Sequence, residues 1–190
     1  MGRWEPDGRG RLLHAAIDLF AEQGYDATTT AQIAERAGLT KTTFFRHFAD
    51  KREVLFYGQP ALIELADGAI AAAPAGVAPL TAVAAAVDAL TGVHTDEQRK
   101  YALRLHAIVA AHAELRERSA FKRSSIVAAM ARALQARGVA EPAAGLAAEL
   151  GTRAYYTSFD RWIDPDNARP LPELGREALD ELRAAIKSLD

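Results

Sequence analysis

Lys41, Thr42, Thr43, Arg46 and His47 fall within about two turns of one predicted helix, with Phe45 among them. Each of the five polar side chains can hydrogen-bond to nucleic acid. Lysine donates to guanine O6 and N7, and threonine donates, accepts or touches a thymine methyl. Lys41 and Thr43 are therefore assigned to base edges, and Arg46 to bases or phosphates. His47, Lys51 and a helix start carrying Thr28, Thr29 and Thr30 suit phosphate oxygens. Phe44 and Phe48, four residues apart, point the other way. An apolar back with a face of Lys, Thr, Arg and His is what a DNA major groove requires. A merely solvated helix face is the competing reading.

The elements that must position these residues are legible around them. Thr29 and Gln32 have the spacing of a reciprocal capping box, so a helix is expected after Thr29. Ile33, Ala34 and Ala37 lie on its inner face, and Gly38 supplies the positive φ that ends it. Leu39 is expected as a buried hinge residue, and Thr40 as the cap of a second helix over about Lys41 to His47. Ahead of this pair, a buttressing helix is predicted over Gly8 to Gln23, with Leu13, Ala16, Ile17 and Phe20 inward and Gly24 as its stop. Residues 1–7 read as a solvated arm, from which Arg3, with Arg9 and Arg11, could also reach a phosphate or a minor groove.

Other chemistries find little support. His94, His106 and His112 lack the i, i+4 spacing of a helical metal pair, and no HExxH or GxSxG motif occurs. Gly8-Arg9-Gly10 is too short for a dinucleotide loop and precedes no strand. The absence of Cys removes disulfides and thiolate chemistry. No enzyme activity, metal or cofactor is expected. The start is polar, and no stretch approaches the ~18 apolar residues of a membrane span. A cytoplasmic protein without a membrane partner is the expectation.

The formal net charge of −2 looks wrong for a DNA binder until its distribution is read. From Arg36 to Arg52 five basic residues face one acid, whereas Glu53 to Gln98 holds six acids and no Lys or Arg. A small basic head on an acidic body can still bind phosphates, with a strong dependence on salt.

Gly24-Tyr25, Thr28-Thr29, Ile33-Ala34, Ala37-Gly38-Leu39-Thr40-Lys41, Thr43-Phe44-Phe45-Arg46-His47-Phe48 and Lys51 together resemble the N-terminal signature of the tetracycline-repressor (TetR) family, over roughly residues 9 to 56. The resemblance implies an operator-binding head, a phosphate held where Lys51 stands, and a fourth helix able to transmit a signal. It also implies a small-molecule cavity among helices four to eight, and a C-terminal helix pair that meets its copy in a second subunit. One departure matters. Many members carry Tyr where this chain has Phe45, so the hydroxyl contact to phosphate is replaced by an apolar or stacking one.

The remaining chain reads as helices throughout. Gly58-Gln59-Pro60 falls inside the fourth, which either kinks as a hinge or breaks into two capped helices. Helices are then expected over about 80–90, 96–111, and from the break at His112 to Arg137; one starts at Pro142 and ends before Asp164-Pro165-Asp166, and one opens at Leu171. The fold class is all-α, with about nine helices. A three-helix helix-turn-helix domain is expected over 1–51, and a helical ligand-binding and dimerisation domain over 52–190. Phe56, Ile63, Leu90, Tyr101, Leu105, His106, Ile108, Val109, Met130, Tyr155, Phe159 and Trp162 could line the cavity or simply form core. Leu146, Leu150, Ala154, Thr157, Leu182, Ala185 and Ile186 are the expected dimer face. Ala147, Ala148, Gly151 and Ala184 would let those helices approach closely. The expected function is a homodimeric, ligand-responsive regulator of transcription, a repressor released from a palindromic double-stranded DNA operator by an unknown small-molecule inducer. The alternative is a helical dimer or adaptor of the same fold that does not bind operator DNA.

Overall fold

The structure, a computed structural model, describes residues 7–189, so the expectations for Arg3 and the arm before residue 7 lie outside the described residues. Among these, nine α-helices and one 3₁₀ turn account for the regular structure, and no strand occurs. They are α1 (Gly8–Gln23), α2 (Thr30–Arg36), α3 (Lys41–His47), the 3₁₀ turn Glu53–Phe56, α4 (Gln59–Ala72), α5 (Pro79–Gly92), α6 (Asp96–Ala111), α7 (Ala113–Ala136), α8 (Ala143–Ile163) and α9 (Leu171–Lys187). None of the described helices is long and apolar enough to cross a membrane.

The chain forms two compact units whose boundary differs from the expected division after residue 51. The first comprises the chain through Tyr57 together with Tyr101–Ser119, and the second Gly58–Lys100 with Ala120 onward. The physical reason is apolar packing. Ile108 and Leu115 are buried in the same cluster as Leu12, Phe20, Phe44 and Phe56, and Tyr101, Leu105 and Val109 pack against it. Leu12 is fully buried in α1, as are Ala16 and Ile17, while Leu13 sits half-buried.

Pro60 lies in the first turn of α4, where its missing N–H costs nothing, and Gly58 precedes that helix as its N-cap. The fourth element is therefore broken rather than kinked: a 3₁₀ turn, then a separate helix. Ahead of it, residues 49–52, with Lys51 among them, form a bend and turn. Asp50 organises it, its carboxylate accepting from the amides of Arg52 at 2.8 Å and Glu53 at 3.0 Å.

In the second unit α5, α8 and α9 interlock around small residues. Ala82, Val83, Ala86, Val87 and Leu90 of α5 are buried with Ala144, Ala147, Ala148, Ala154 and Tyr155 of α8, and with Ala178 and Leu179 of α9. Met130, Ile126 and Leu134 of α7 complete this core. Arg137 fixes the end of α4, donating to the carbonyls of Ala73 at 2.8 Å and Pro74 at 2.6 Å. A cation there complements the carbonyls that a helix C-terminus leaves unpaired.

Candidate nucleic-acid interface

The turn between α2 and α3 is built by three local devices. Thr29 accepts from the Gln32 amide at 3.2 Å while the Gln32 side chain accepts from the Thr29 amide at 2.9 Å, completing the capping box. At the other end Gly38 takes φ 67°. Its amide bonds to Glu35 O at 2.9 Å and that of Leu39 to Ala34 O at 2.8 Å, the paired pattern of a Schellman stop. Thr40 then caps α3, accepting from the Thr43 amide at 3.1 Å. Leu39 is half-buried rather than buried.

Behind α3, Phe44 is fully buried against α1 and α2, and Phe48 lies near it with ring centroids 5.8 Å apart. The outward face consists of Lys41, Thr42, Phe45 and Arg46, all exposed, at the i, i+1, i+4, i+5 spacing of one helix side. Lys41 and Arg46 bring charged donors, Thr42 a hydroxyl and a methyl, and Phe45 an apolar ring. Chemically the face can donate to base edges and phosphates and can pack against a methyl group.

Thr43 differs from the expectation for it. It is half-buried, and its hydroxyl lies 2.9 Å from that of Thr40, so it serves the cap before any base. Among the exposed threonines of α3, Thr42 takes that place. His47 is half-buried beside Arg46 and Arg9. Desolvation, then those two positive charges, hold its imidazole below the ordinary range, so the ring is neutral at pH 7.

Two residues assigned to phosphate are structural instead. Thr28 is 1% exposed, and its hydroxyl donates to Gly24 O at 2.8 Å and accepts from Gln23 Nε2 at 3.1 Å. It pins the α1–α2 connection and cannot reach a phosphate. Lys51 folds its ammonium onto that same connection, donating to Tyr25 O at 2.6 Å and Thr28 O at 3.2 Å, and lies 4.2 Å from the centroid of the Tyr25 ring. Its charge caps backbone carbonyls. The hydroxyl of Thr29 is engaged in the capping box, and Thr30 is half-buried in the first turn of α2. Tyr25 is buried in the core of the first unit. Burial and a hydrogen bond to Glu114 raise its phenol well above the ordinary range.

The residues expected to line a ligand cavity fall into two sets. Phe56, Tyr101, Leu105, Ile108 and Val109 belong to the core of the first unit, and His106 is exposed. Those residues are not grouped with Leu90, Met130 and Tyr155, which are core of the second unit, where Ile63 packs against them. The feature with polar character there is an aromatic cluster on α8. His94 Nε2 lies 3.0 Å from the Tyr155 hydroxyl, and its ring centroid stands 5.4 Å from Phe159 and 5.9 Å from Trp162. In the sequence His94 invites only the question of a metal ligand, because a partner 61 residues away leaves no local periodicity to read.

Burial, then the charge of Lys122, lowers the His94 pKa from the ordinary 6.5 to about 4. The neutral ring is therefore favoured in the folded state, and the unfolded chain takes up the proton first as pH falls. The stability this contributes is complete above about pH 6.5 and is lost progressively toward pH 4. Thermal melts across that window are expected to show a fall in midpoint that His94→Gln makes shallower; equal slopes in both proteins would refute the assignment.

Of the expected dimer face, Ala154 is fully buried within its own chain, as are Ala147, Ala148 and Gly151. Gly151 meets Val83 of α5, and the alanines belong to the core of the second unit. Leu146 at 62% exposed and Ile186 at 39% remain on the outside, with Ala184 and Ala185, whereas Leu150, Thr157 and Leu182 are half-buried.

Residues 12–57 match the model of the bacterial regulatory proteins of the tetR family. The chain is 43% identical over 84 residues to the HTH-type transcriptional regulator TcmR of Streptomyces glaucescens, a match covering 44% of this chain and 37% of that protein. The match thus spans little more than a third of that relative's length. In fold the chain is similar to a TetR-family regulator from Syntrophomonas wolfei, with a TM-score of 0.64 at 17% identity and 94% of each chain covered. It is also similar to FadR of Thermus thermophilus, a TetR-family transcriptional repressor solved with lauroyl-CoA, with a TM-score of 0.54 at 23% identity and 92% of each chain covered. With the helix-turn-helix geometry described, residues 12–57 match the N-terminal domain model of the bacterial regulatory proteins of the tetR family, and the chain is similar in fold to solved regulators of that family.

Proposed function

We propose that the chain is a transcriptional repressor that binds a palindromic double-stranded DNA operator as a homodimer and leaves it when a small molecule binds the second unit. The observation that carries this reading is the outward face of α3, where Lys41, Thr42, Phe45 and Arg46 stand exposed over a packed apolar back. The local charge supports it, since five basic residues stand against one acid between Arg36 and Arg52 in a chain of net charge −2. Two-fold symmetry would set two copies of α3 about 34 Å apart, or a multiple of it, along the duplex. Leu146 and Ile186, exposed on α8 and α9, are the apolar residues a second copy would cover.

For the inducer, the support is the cluster of His94, Tyr155, Phe159 and Trp162, which offers aromatic surface with a hydroxyl and an imidazole. The acyl-CoA bound by the Thermus thermophilus relative is a precedent for a small-molecule ligand on this fold. Ligand would act by favouring a state whose two reading heads no longer match the operator spacing.

The test is selection from random duplex DNA with the purified protein at near-physiological salt. A pseudo-palindrome is expected, with affinity for it reduced about 10- to 100-fold per reading head by Lys41→Ala or Arg46→Ala. Recovery of sequence-blind, salt-sensitive binding alone would sink the repressor reading in favour of a helical adaptor. The sign of regulation is then read by placing the selected site in a reporter promoter.

A further inference from the structure

On the outward face of α3 a half-exposed phenylalanine stands among hydrogen-bonding residues. Phe45 is 49% exposed, flanked on that face by Lys41, Thr42 and Arg46. The ring is not left to wander. It meets Phe44 edge-on, with centroids 5.4 Å apart at an interplanar angle of 79°. Phe44 in turn is fully buried, so it fixes one side of Phe45 from the core. The Lys41 ammonium lies 5.9 Å from the ring centroid, within cation–π range. An apolar ring is thus held in place by the fold while half its surface faces water.

A hydrogen-bonding partner cannot satisfy that surface. The base edges in a major groove are donors and acceptors with one apolar exception, the C5-methyl of thymine. We propose that Phe45 is the thymine-reading residue of α3, its exposed ring packing on the C5-methyl of one thymine in each half-site. This rests on the operator-binding reading above and adds a base identity to it. Lys41 precedes Phe45 by one helical turn on the same face, so the base it reaches lies close along the groove. The half-site therefore carries a thymine near a base that accepts from lysine, of which guanine is the best.

The experiment uses the full-length protein and the site it selects from random duplex. Each thymine is replaced in turn by deoxyuridine, which deletes the C5-methyl and leaves the pairing edge intact. At one position per half-site the wild-type protein is expected to lose about fourfold in affinity, the worth of one buried methyl group. Phe45→Ala should bind the thymine and deoxyuridine sites equally at that position, while keeping the wild-type response to every other base change. Phe45→Leu, which retains an apolar side chain, should keep part of the methyl preference. Thermal melts of both variants separate loss of contact from loss of fold.

Two results overturn the proposal. One is a selected site in which no thymine methyl matters. The other is a methyl preference that survives unchanged in Phe45→Ala, which would assign it to Thr42. Failure to select any sequence would instead overturn the operator-binding reading itself, and is recognised by the absence of a consensus in the wild-type protein.

Discussion

Phe44→Ala is expected to destabilise the first unit by about 3–5 kcal/mol, the cost of deleting a fully buried aromatic ring from a core that can only partly collapse. The ring packs in one cluster with Leu12, Ile17 and Phe20 of α1 and Ile33 and Ala34 of α2. Truncation therefore opens a void where three short elements meet, and α3, only 7 residues long, has little stability of its own. Phe45→Ala, one position along, removes a ring of equal size that is 49% exposed, and its melting midpoint should barely move. The two neighbours are thus expected to separate fully. On the proposed function, the first substitution should abolish operator binding by loosening the head, and the second should alter what a folded head prefers. Urea titrations monitored by circular dichroism measure the difference. Similar losses for both would mean that Phe45 is part of the core, and the assignment of the outward face would fall with it.

That separation is legible in the spacing of the residues alone, because Phe44 and Phe48 share a helical face that Phe45 does not. Elsewhere the same rule holds. Signals confined to a few consecutive residues carry over into the fold: the Thr29–Gln32 box, the positive φ of Gly38, the Thr40 cap, and Pro60 as a feature of a helix start once the break is admitted. Lys51 departs from its expected role because its partners come from chain that returns, and Thr28 because its hydroxyl folds back onto the carbonyl of Gly24 at the end of α1. Lys51 meets carbonyls 23 and 26 residues back, and the Thr28 hydroxyl turns under α1 rather than outward. A polar residue near a helix start reads the same in sequence whether it faces a phosphate or a backbone carbonyl. The division after residue 51 misses α6 for a similar reason. Its apolar residues Tyr101, Leu105 and Ile108 have the spacing of any amphipathic helix, and nothing local says which core they enter.

The small residues of α8 show how one pattern supports two readings, and Gly151 decides between them. Gly151 is buried, and a Cβ built on it would collide with Cγ1 of Val83 on α5 and stand 3.5 Å from the Met130 sulfur. Val83 is itself fully buried and β-branched, so within a helix it has essentially one rotamer and cannot step aside. Gly151→Ala must therefore push α5 and α8 apart. The strain is expected to cost up to about 3 kcal/mol, more than the roughly 1 kcal/mol that alanine gains over glycine as a helix former. Val83→Ala alone should destabilise by leaving a cavity. In the double variant the new methyl enters the space the valine vacated, so the two losses should fall short of their sum by about 1–3 kcal/mol. Strict additivity would mean the two residues do not meet. A loss that appears only when protein concentration is raised or lowered through a dimer transition would return Gly151 to the subunit interface, and with it the close-approach role that its own chain otherwise explains.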